Sequence, residues 1–480
     1  MKTKATISFL WSFNSKLTMV LFEFLTQLIL ARLLFPKDFG IIAIVMVFIN
    51  FGRAITNAGL SQALIQKKNS NVVEENSVFY FNILIGSTFT VIVFLGSSFI
   101  ATYYSQPVLK IILRTISFWF IVNALGIIHD VKLTRDLNFR TKFNVNIISV
   151  LISSIISITL AFIGFGIWAL VVQLMATQIF RSALLWRFTL WRPLMVFEWA
   201  VLRKLLPFGF NILLSSIFTG FRISIFAIVI GKAYSATQLG FYNRANQLQN
   251  ITSKTFTTSL QNVLFPVFSQ LQDNIDLLKK GLKKSIKFLF FIITPLMVFF
   301  IVNAEDIIVV LLTNKWIESA DYLKILSLLG IVYPLQMMNL NALKAINMSK
   351  RFLYMTLLWD ISSICSAIMT SFYSIKIMIL GQVVVTLTCY LVNVIMNGKY
   401  YRYYLKEQLK DLTPLIFINV AFYLVLNMVL NIIPVFSIYL SMAIDVLLGS
   451  LIYGLLVYVL NNKFFKEVVV ELQVLTKKKH

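Results

Sequence analysis

Fourteen mostly apolar stretches, separated by short polar connections, run the length of the chain. They fall near residues 7–31, 39–65, 76–101, 110–129, 143–163, 165–187 and 205–230, then 236–266, 284–302, 320–345, 351–374, 376–397, 412–433 and 437–461. Each has about the 20 residues, roughly 30 Å of helix, that the hydrocarbon core of a bilayer demands. No connection is long enough to fold by itself. The pattern predicts an all-α polytopic membrane protein of about fourteen spans. The N-terminal lysines and apolar run resemble a signal peptide, but Lys16 and Glu23 interrupt the run and no small-residue cleavage site follows. We read it as the first span.

Composition agrees: 59% of the 480 residues are hydrophobic and 13% charged, and the mean hydropathy is +0.83. A soluble domain cannot hide that much apolar surface. The net charge of +24 raises nucleic-acid binding, but the basic residues sit in short loops and form no basic domain. With fourteen spans both termini share a side. That side carries about 29 Lys and Arg, against about six (Arg32, Lys37, Lys110, Lys232, Lys315 and Lys376) on the other. The positive-inside rule then places both termini in the cytoplasm.

There is a faint internal repeat. Phe35-Pro36-Lys37-Asp38-Phe39-Gly40 after the first span is echoed by Ser235-Ala236-Thr237-Gln238-Leu239-Gly240 after the seventh. Upstream, Ser12, Lys16 and Glu23 are echoed by Asn211, Ser215 and Arg222. Six spans separate the copies, so both insert in the same direction. Parallel repeats of this kind are a transporter architecture with the site between the halves.

Polar residues inside the spans point to that site. A charged side chain at mid-bilayer costs roughly 2.5–3.5 kcal/mol on insertion scales, tolerable only beside water or a partner. Ser12, Lys16, Glu23 and Gln27 form one stripe on the first span, and Asn50, Arg53, Asn57 and Ser61 another on the second. Asn211, Ser215 and Arg222 line one face of the seventh. The eighth is the most polar, with Asn243, Arg244, Asn246, Gln247, Asn250, Lys254, Thr257 and Gln261. Spans one, two, seven and eight are therefore expected to line a central hydrated cavity. Its candidate binding residues are Lys16, Glu23, Arg53, Asn211, Arg222, Arg244, Asn250 and Lys254. The net sign is positive, which suits an anionic cargo, and the planar fork of arginine suits phosphate. Lys16, Arg53 and Arg244 lie nearer span ends, where snorkelling to the interface is an equal reading; Arg222 is deeper. Asp360 and Asp445 sit about ten residues into their spans. Each is a candidate, with Glu23, for coupling to a proton or Na+, or else a structural partner of a nearby donor.

Other chemistry finds no support. Asp38-Phe39-Gly40 matches the magnesium triplet of kinases without any of its companion motifs; Asp38 is better placed to cap the second span. There is no phosphate-binding loop or dinucleotide fingerprint. Two histidines (His129 and His480) and two cysteines (Cys365 and Cys389) in apolar surroundings offer neither a catalytic set nor a metal site. No enzyme, cofactor or metal is expected.

Leu30-Ala31-Arg32-Leu33-Leu34 with Pro36-Lys37-Asp38-Phe39-Gly40, and Ala58-Gly59-Leu60-Ser61-Gln62-Ala63-Leu64-Ile65-Gln66, resemble signatures of bacterial polysaccharide exporters. So do Leu239-Gly240-Phe241-Tyr242-Asn243-Arg244-Ala245 and Val263-Leu264-Phe265-Pro266-Val267-Phe268-Ser269. The chain thus resembles the Wzx-like branch of the multidrug/oligosaccharidyl-lipid/polysaccharide (MOP) exporter superfamily over roughly its first 270 residues. The resemblance implies two six-helix lobes in a V, residues 1–190 and 191–400, and two further helices with a basic tail in 401–480. It implies a flippase of undecaprenyl-pyrophosphate-linked repeat units for O-antigen, capsule or exopolysaccharide in the bacterial cytoplasmic membrane. A positive cavity between the lobes would take the pyrophosphate and sugar. Membrane lipids and the polysaccharide polymerase and chain-length machinery are the implied partners. Asn57 stands where relatives carry an acid, so ion coupling here would use another residue or be absent. The rival readings are a cation-coupled multidrug exporter, which calls for an acidic cavity, and a membrane polymerase, which needs a large extracytoplasmic loop.

Overall fold

The computed structural model describes residues 2–57, 59–66, 71–432 and 437–460. Side chains are described from residue 18 onward within these ranges, apart from those of residues 57, 66, 208, 211, 212, 215 and 431. Two compact units divide the chain, Met1–Asn243 and Arg244–His480.

The first unit contains α1 (Lys2–Leu33), α2 (Pro36–Asn57), α3 (Leu60–Gln66), α4 (Val72–Tyr103), α5 (Val108–Arg135), α6 (Phe139–Phe162), α7 (Ile167–Phe188), α8 (Trp199–Ala233) and the start of α9 (Ala236–Gln270). The second has the rest of α9, then α10 (Ile275–Val302), α11 (Ala304–Leu311), α12 (Ser319–Ala345), α13 (Ser349–Thr370), α14 (Ile375–Asn397), α15 (Leu405–Ile432) and α16 (Ile438–Leu460). Setting aside the short α3 and α11, fourteen long helices match the fourteen apolar stretches. Among the described residues, twelve are long and apolar enough to cross a membrane. The chain is a multi-pass membrane protein. The two long helices outside that set are α1 and α9; α9 carries Asn243, Arg244, Asn246, Gln247, Asn250 and Lys254 in its first half.

One expected span is corrected. The stretch 39–65 is not a single helix, because the chain turns at Gly59 between α2 and α3. Gly59 has φ +67°, and a Cβ there would lie 2.2 Å from the carbonyl oxygen of Gly209. Both the backbone conformation and the close approach require glycine.

Within the first unit α4 packs along α5 and α6 along α7, with α2 against α5 and α8. Small and hydroxylated residues allow the approach: the Thr90 hydroxyl donates to the Ser117 carbonyl at 2.8 Å, and a Cβ on Gly86 would lie 3.1 Å from the Phe120 carbonyl. Helix α4 starts in a capping box, where the Glu74 N–H donates to Asn71 Oδ1 at 2.8 Å and the Asn71 N–H to Glu74 Oε2 at 3.3 Å. Asp38 accepts from the Phe35 N–H at 3.1 Å, reaching back one residue beyond the start of α2, so it caps that helix as its position suggested.

The second unit is built on α10, α12, α14 and α15, which share a core around Leu282, Ile286, Leu289, Met297, Met338 and Leu415. Helix α16 is held to α10 by the Tyr453 hydroxyl, which donates to the Phe291 carbonyl at 3.0 Å.

The repeat extends through both units. Helix α1 ends at Leu33 and α8 at Ala233, while α2 begins at Pro36 and α9 at Ala236. The turn after α5, with Leu137 at φ 54° and Asn138 N–H donating to Leu133 O at 2.9 Å, recurs after α12. There Asn347 has φ 60° and Met348 N–H donates to Leu343 O at 3.0 Å. Each closes a helix with a left-handed residue.

Candidate functional site

The first unit encloses a cavity of about 550 Å³. Helix α1 contributes Met19 and Glu23, α2 contributes Arg53, and α3 contributes Ser61, Gln62 and Ile65. The far wall comes from α5 (including Asn123, Asp130 and Thr134), α6 (Lys142, Asn146, Ser149 and Val150) and α7 (Thr177, Gln178 and Arg181). Its lining is therefore mostly hydroxyls, amides and charges. Such a lining among membrane-spanning helices calls for water or a polar ligand, because lipid could not solvate it.

Three cations and two carboxylates reach the cavity. Asp130 is the hub: its Oδ2 accepts from Lys142 Nζ at 2.8 Å and its Oδ1 from an Arg181 Nη at 2.9 Å. Arg181 Nε donates to Asn146 Oδ1 at 3.0 Å, and Lys142 also donates to the Thr134 hydroxyl at 3.1 Å. Arg53 lies with its guanidinium 5.3 Å from the centre of the Trp119 ring, a cation–π arrangement that fixes it along the wall. Glu23 and Arg181 are both near enough for their charges to act on Arg53. Below them, Gln27 Nε2 donates to Gln173 Oε1 at 3.1 Å and the Thr26 hydroxyl to Ser154 Oγ at 2.9 Å. These bonds pin α1 to α6 and α7.

The structure thus brings Glu23 and Arg53 together on one wall, as expected of the first two spans. Among the described residues, none from α8 or α9 lines this cavity; α5, α6 and α7 supply its other walls. Arg222 is half-buried in α8, beside Phe221, whose ring meets Phe51 edge-on at 4.7 Å. The side chains of Lys16 and Asn211 lie outside the described residues. In the second unit Arg244 is buried; it donates to Gln247 Oε1, and its guanidinium is 5.9 Å from the Trp316 ring. Asn250 donates to Asn246 at 2.9 Å, and Lys254 is exposed. Two polar side chains of α9 are used in packing on α12. The Ser253 hydroxyl donates to Gly330 O, and Gln261 Nε2 donates to Met337 O, both at 2.7 Å. Asp360 is buried in α13 beside Trp359, and Asp445 is buried in α16.

Sequence reasoning passed over Asp130, Lys142 and Arg181 as site residues. Asp130 falls just past the end of an expected span and Lys142 read as a loop lysine. Arg181 carried a usable signal, since it lies well inside the stretch 165–187.

The family model of the polysaccharide biosynthesis proteins matches residues 29–321, well over half of the chain. The chain belongs to that family. One relative of this family member is the succinoglycan biosynthesis transport protein ExoT of Rhizobium meliloti (strain 1021), 26% identical over 325 residues, 68% of this chain. That match spans 66% of the relative, just under two thirds of its length. Among solved structures, the lipid II flippase MurJ in an inward closed conformation superposes with a TM-score of 0.76 at 15% identity. It covers 96% of this chain and 100% of its own. An inward-facing multidrug resistance MATE family transporter of the MOP superfamily gives 0.61 at 14% identity, over 80% and 94%. These likenesses show the fold, all-helical and shared with the flippase and the transporter.

Proposed function

We propose that this polysaccharide biosynthesis protein is a flippase. It would carry undecaprenyl-pyrophosphate-linked oligosaccharide repeat units across the bacterial cytoplasmic membrane for O-antigen, capsule or exopolysaccharide assembly. The observation that carries the reading is the polar, charge-lined cavity within a bundle of membrane-spanning helices. A sugar head group needs many hydroxyl and amide partners, which Ser61, Gln62, Asn123, Asn146, Ser149 and Gln178 offer, and its pyrophosphate needs cations. Transport fits the fold better than catalysis.

In this reading residues 1–190 and 191–400 form two lobes that open alternately to either face, accompanied by 401–480. Both termini are cytoplasmic. Arg53, Arg222, Arg244, Lys16 and Lys254 attract the pyrophosphate, Asn211 and Asn250 bind sugar, and Glu23, Asp360 or Asp445 couples transport to an H+ or Na+ gradient. The polymerase and chain-length machinery act downstream. A multidrug exporter for cations is supported less well. Three cations outnumber two carboxylates in the cavity, and Asp130 is already held by Lys142 and Arg181.

The test is a deletion strain assayed for surface polymer and for lipid-linked repeat units. Lost polymer with intact units trapped on the cytoplasmic leaflet is the expected result. Unchanged polymer with new sensitivity to cationic drugs would transfer the assignment to drug export.

A further inference from the structure

Asp130 draws two of the cavity's three cations into one cluster. Asp130, Lys142 and Arg181 come from the last turns of α5, the first turn of α6 and the last two turns of α7. Because α5 and α6 are joined by only three residues, 136–138, the trio clusters at the end where that turn lies. Each side chain is roughly 30% exposed (28%, 27% and 30%) and turned to the cavity. One carboxylate holding two cations in a wet site is a weak structural clamp. Exposed and half-exposed ion pairs contribute little net stability, because water competes for both partners. Both cations line the cavity, so their donors are open to a ligand carrying more charge than one carboxylate.

Its geometry resembles a bound phosphoryl group. Asp130 presents two oxygens, one to an ammonium and one to a guanidinium, while Asn146 orients the guanidinium through Nε at 3.0 Å. A phosphate or pyrophosphate presents more oxygens and more charge to the same donors, and arginine binds such groups through its paired N–H donors. We infer that Lys142 and Arg181, oriented by Thr134 and Asn146, form a phosphoryl-binding subsite in the first unit, with Asp130 as the resident counter-ion that the ligand displaces. The inference rests on the flippase reading for the origin of the ligand, the pyrophosphate of the cargo. The subsite itself is defined by its own residues, none of them among those assigned above to the pyrophosphate.

Displacement gives substitutions opposite signs. Removing a cation weakens binding; removing the competitor strengthens it. Binding of inorganic pyrophosphate and of farnesyl pyrophosphate to the full-length protein in detergent, followed by calorimetry, tests this directly. Arg181→Gln is expected to weaken both probes about tenfold, the worth of one charge-assisted hydrogen bond. Arg181→Lys should recover part of the loss. Asp130→Asn is expected to tighten both probes several-fold, and Lys324→Gln, in the second unit, to leave them unchanged. If Arg181→Gln alone unfolds, the paired Asp130→Asn/Arg181→Gln protein, which keeps the net charge of the trio, is compared with Asp130→Asn. Repeating the titration in phosphatidylglycerol nanodiscs separates sources. Competition by that lipid which Arg181→Gln abolishes would support the subsite and make bulk head groups its ligand. Probe binding that ignores both residues, or that Asp130→Asn weakens, overturns the subsite and leaves the flippase reading standing. No binding of either probe by any variant overturns both.

Discussion

Gly40 and Gly240 meet where the two copies of the repeat begin their second helices. A Cβ on Gly40 would fall 1.6 Å from the carbonyl oxygen of Ala236, and one on Gly240 would fall 1.9 Å from that of Pro36 and 3.3 Å from the Gly40 nitrogen. The contact is reciprocal: each glycine receives the first residue of the other helix. Equivalent positions in the two copies therefore touch across a local pseudo-two-fold, which explains why both short motifs end in glycine. Because the atoms met are backbone, no rotamer change can relieve a clash. Gly40→Ala and Gly240→Ala are each expected to destabilise the protein by about 1–3 kcal/mol, the usual cost of overpacking. Thermal unfolding in detergent reads this out; an unchanged midpoint in either variant would show that the helix starts can separate freely.

A buried polar network anchors α15 to the second unit. Gln408 Nε2 donates to Asn339 Oδ1 at 2.9 Å, the Tyr401 hydroxyl donates to the same oxygen at 3.0 Å, and the Tyr390 hydroxyl donates to Gln408 Oε1 at 3.0 Å. Gln408 and Asn339 are both fully buried. Gln408→Leu takes the acceptor from the Tyr390 hydroxyl, at about 1–3 kcal/mol for the buried group left unsatisfied, while Asn339 Oδ1 keeps the Tyr401 hydroxyl. Adding Asn339→Leu is expected to cost less than the sum, since the Gln408–Asn339 bond that both substitutions break is lost only once. Additive losses in a double-mutant cycle would mean the four side chains do not act as a unit.

Helix positions were legible because bilayer thickness imposes one length scale on every apolar run; most ends fall within a few residues of those expected, but α10 begins nine residues and α15 seven residues early, since polar turns extend each helix beyond its apolar run. The break at Gly59 was not, since Ala58 to Ile65 continue the apolar pattern and only the φ of one residue interrupts it. The site was half legible. Glu23 and Arg53 are conspicuous as charges within spans, whereas Asp130 and Lys142 sit at helix ends, where charge is ordinary. What makes them a pair is the turn at Leu137, which folds α6 back beside α5, and no periodicity records that. The polarity of α9 pointed to a wet face, yet Ser253 and Gln261 bond to α12 carbonyls, a use that composition cannot distinguish from ligand binding.

Arg222 separates the central binding residues from the cavity of the first unit. It does not line that cavity, so its role rests on its depth in α8. Arg222→Ala is expected to abolish polymer export while the protein remains in the membrane at normal abundance. Export at the wild-type level, measured beside a membrane-fraction blot, would remove Arg222 from the site and leave the cavity around Arg53 as the binding region.

Arg53 is held over Trp119 as well as facing Glu23, so its charge and its placement can be tested apart. Arg53→Gln removes the charge and is expected to reduce export at least tenfold. Arg53→Lys keeps the charge but loses the planar face that stacks on the indole and the fork that grips phosphate, and an intermediate rate is expected. Trp119→Leu keeps Arg53 intact and takes away the cation–π contact, worth roughly 0.5–2 kcal/mol. If that contact positions the guanidinium for cargo, Trp119→Leu should raise the concentration of lipid-linked substrate needed for half-maximal flipping several-fold in reconstituted vesicles. The maximal rate should change little. A fall in maximal rate alone would place Trp119 in the conformational cycle instead, where its burial between α2 and α5 resists the movement of those helices.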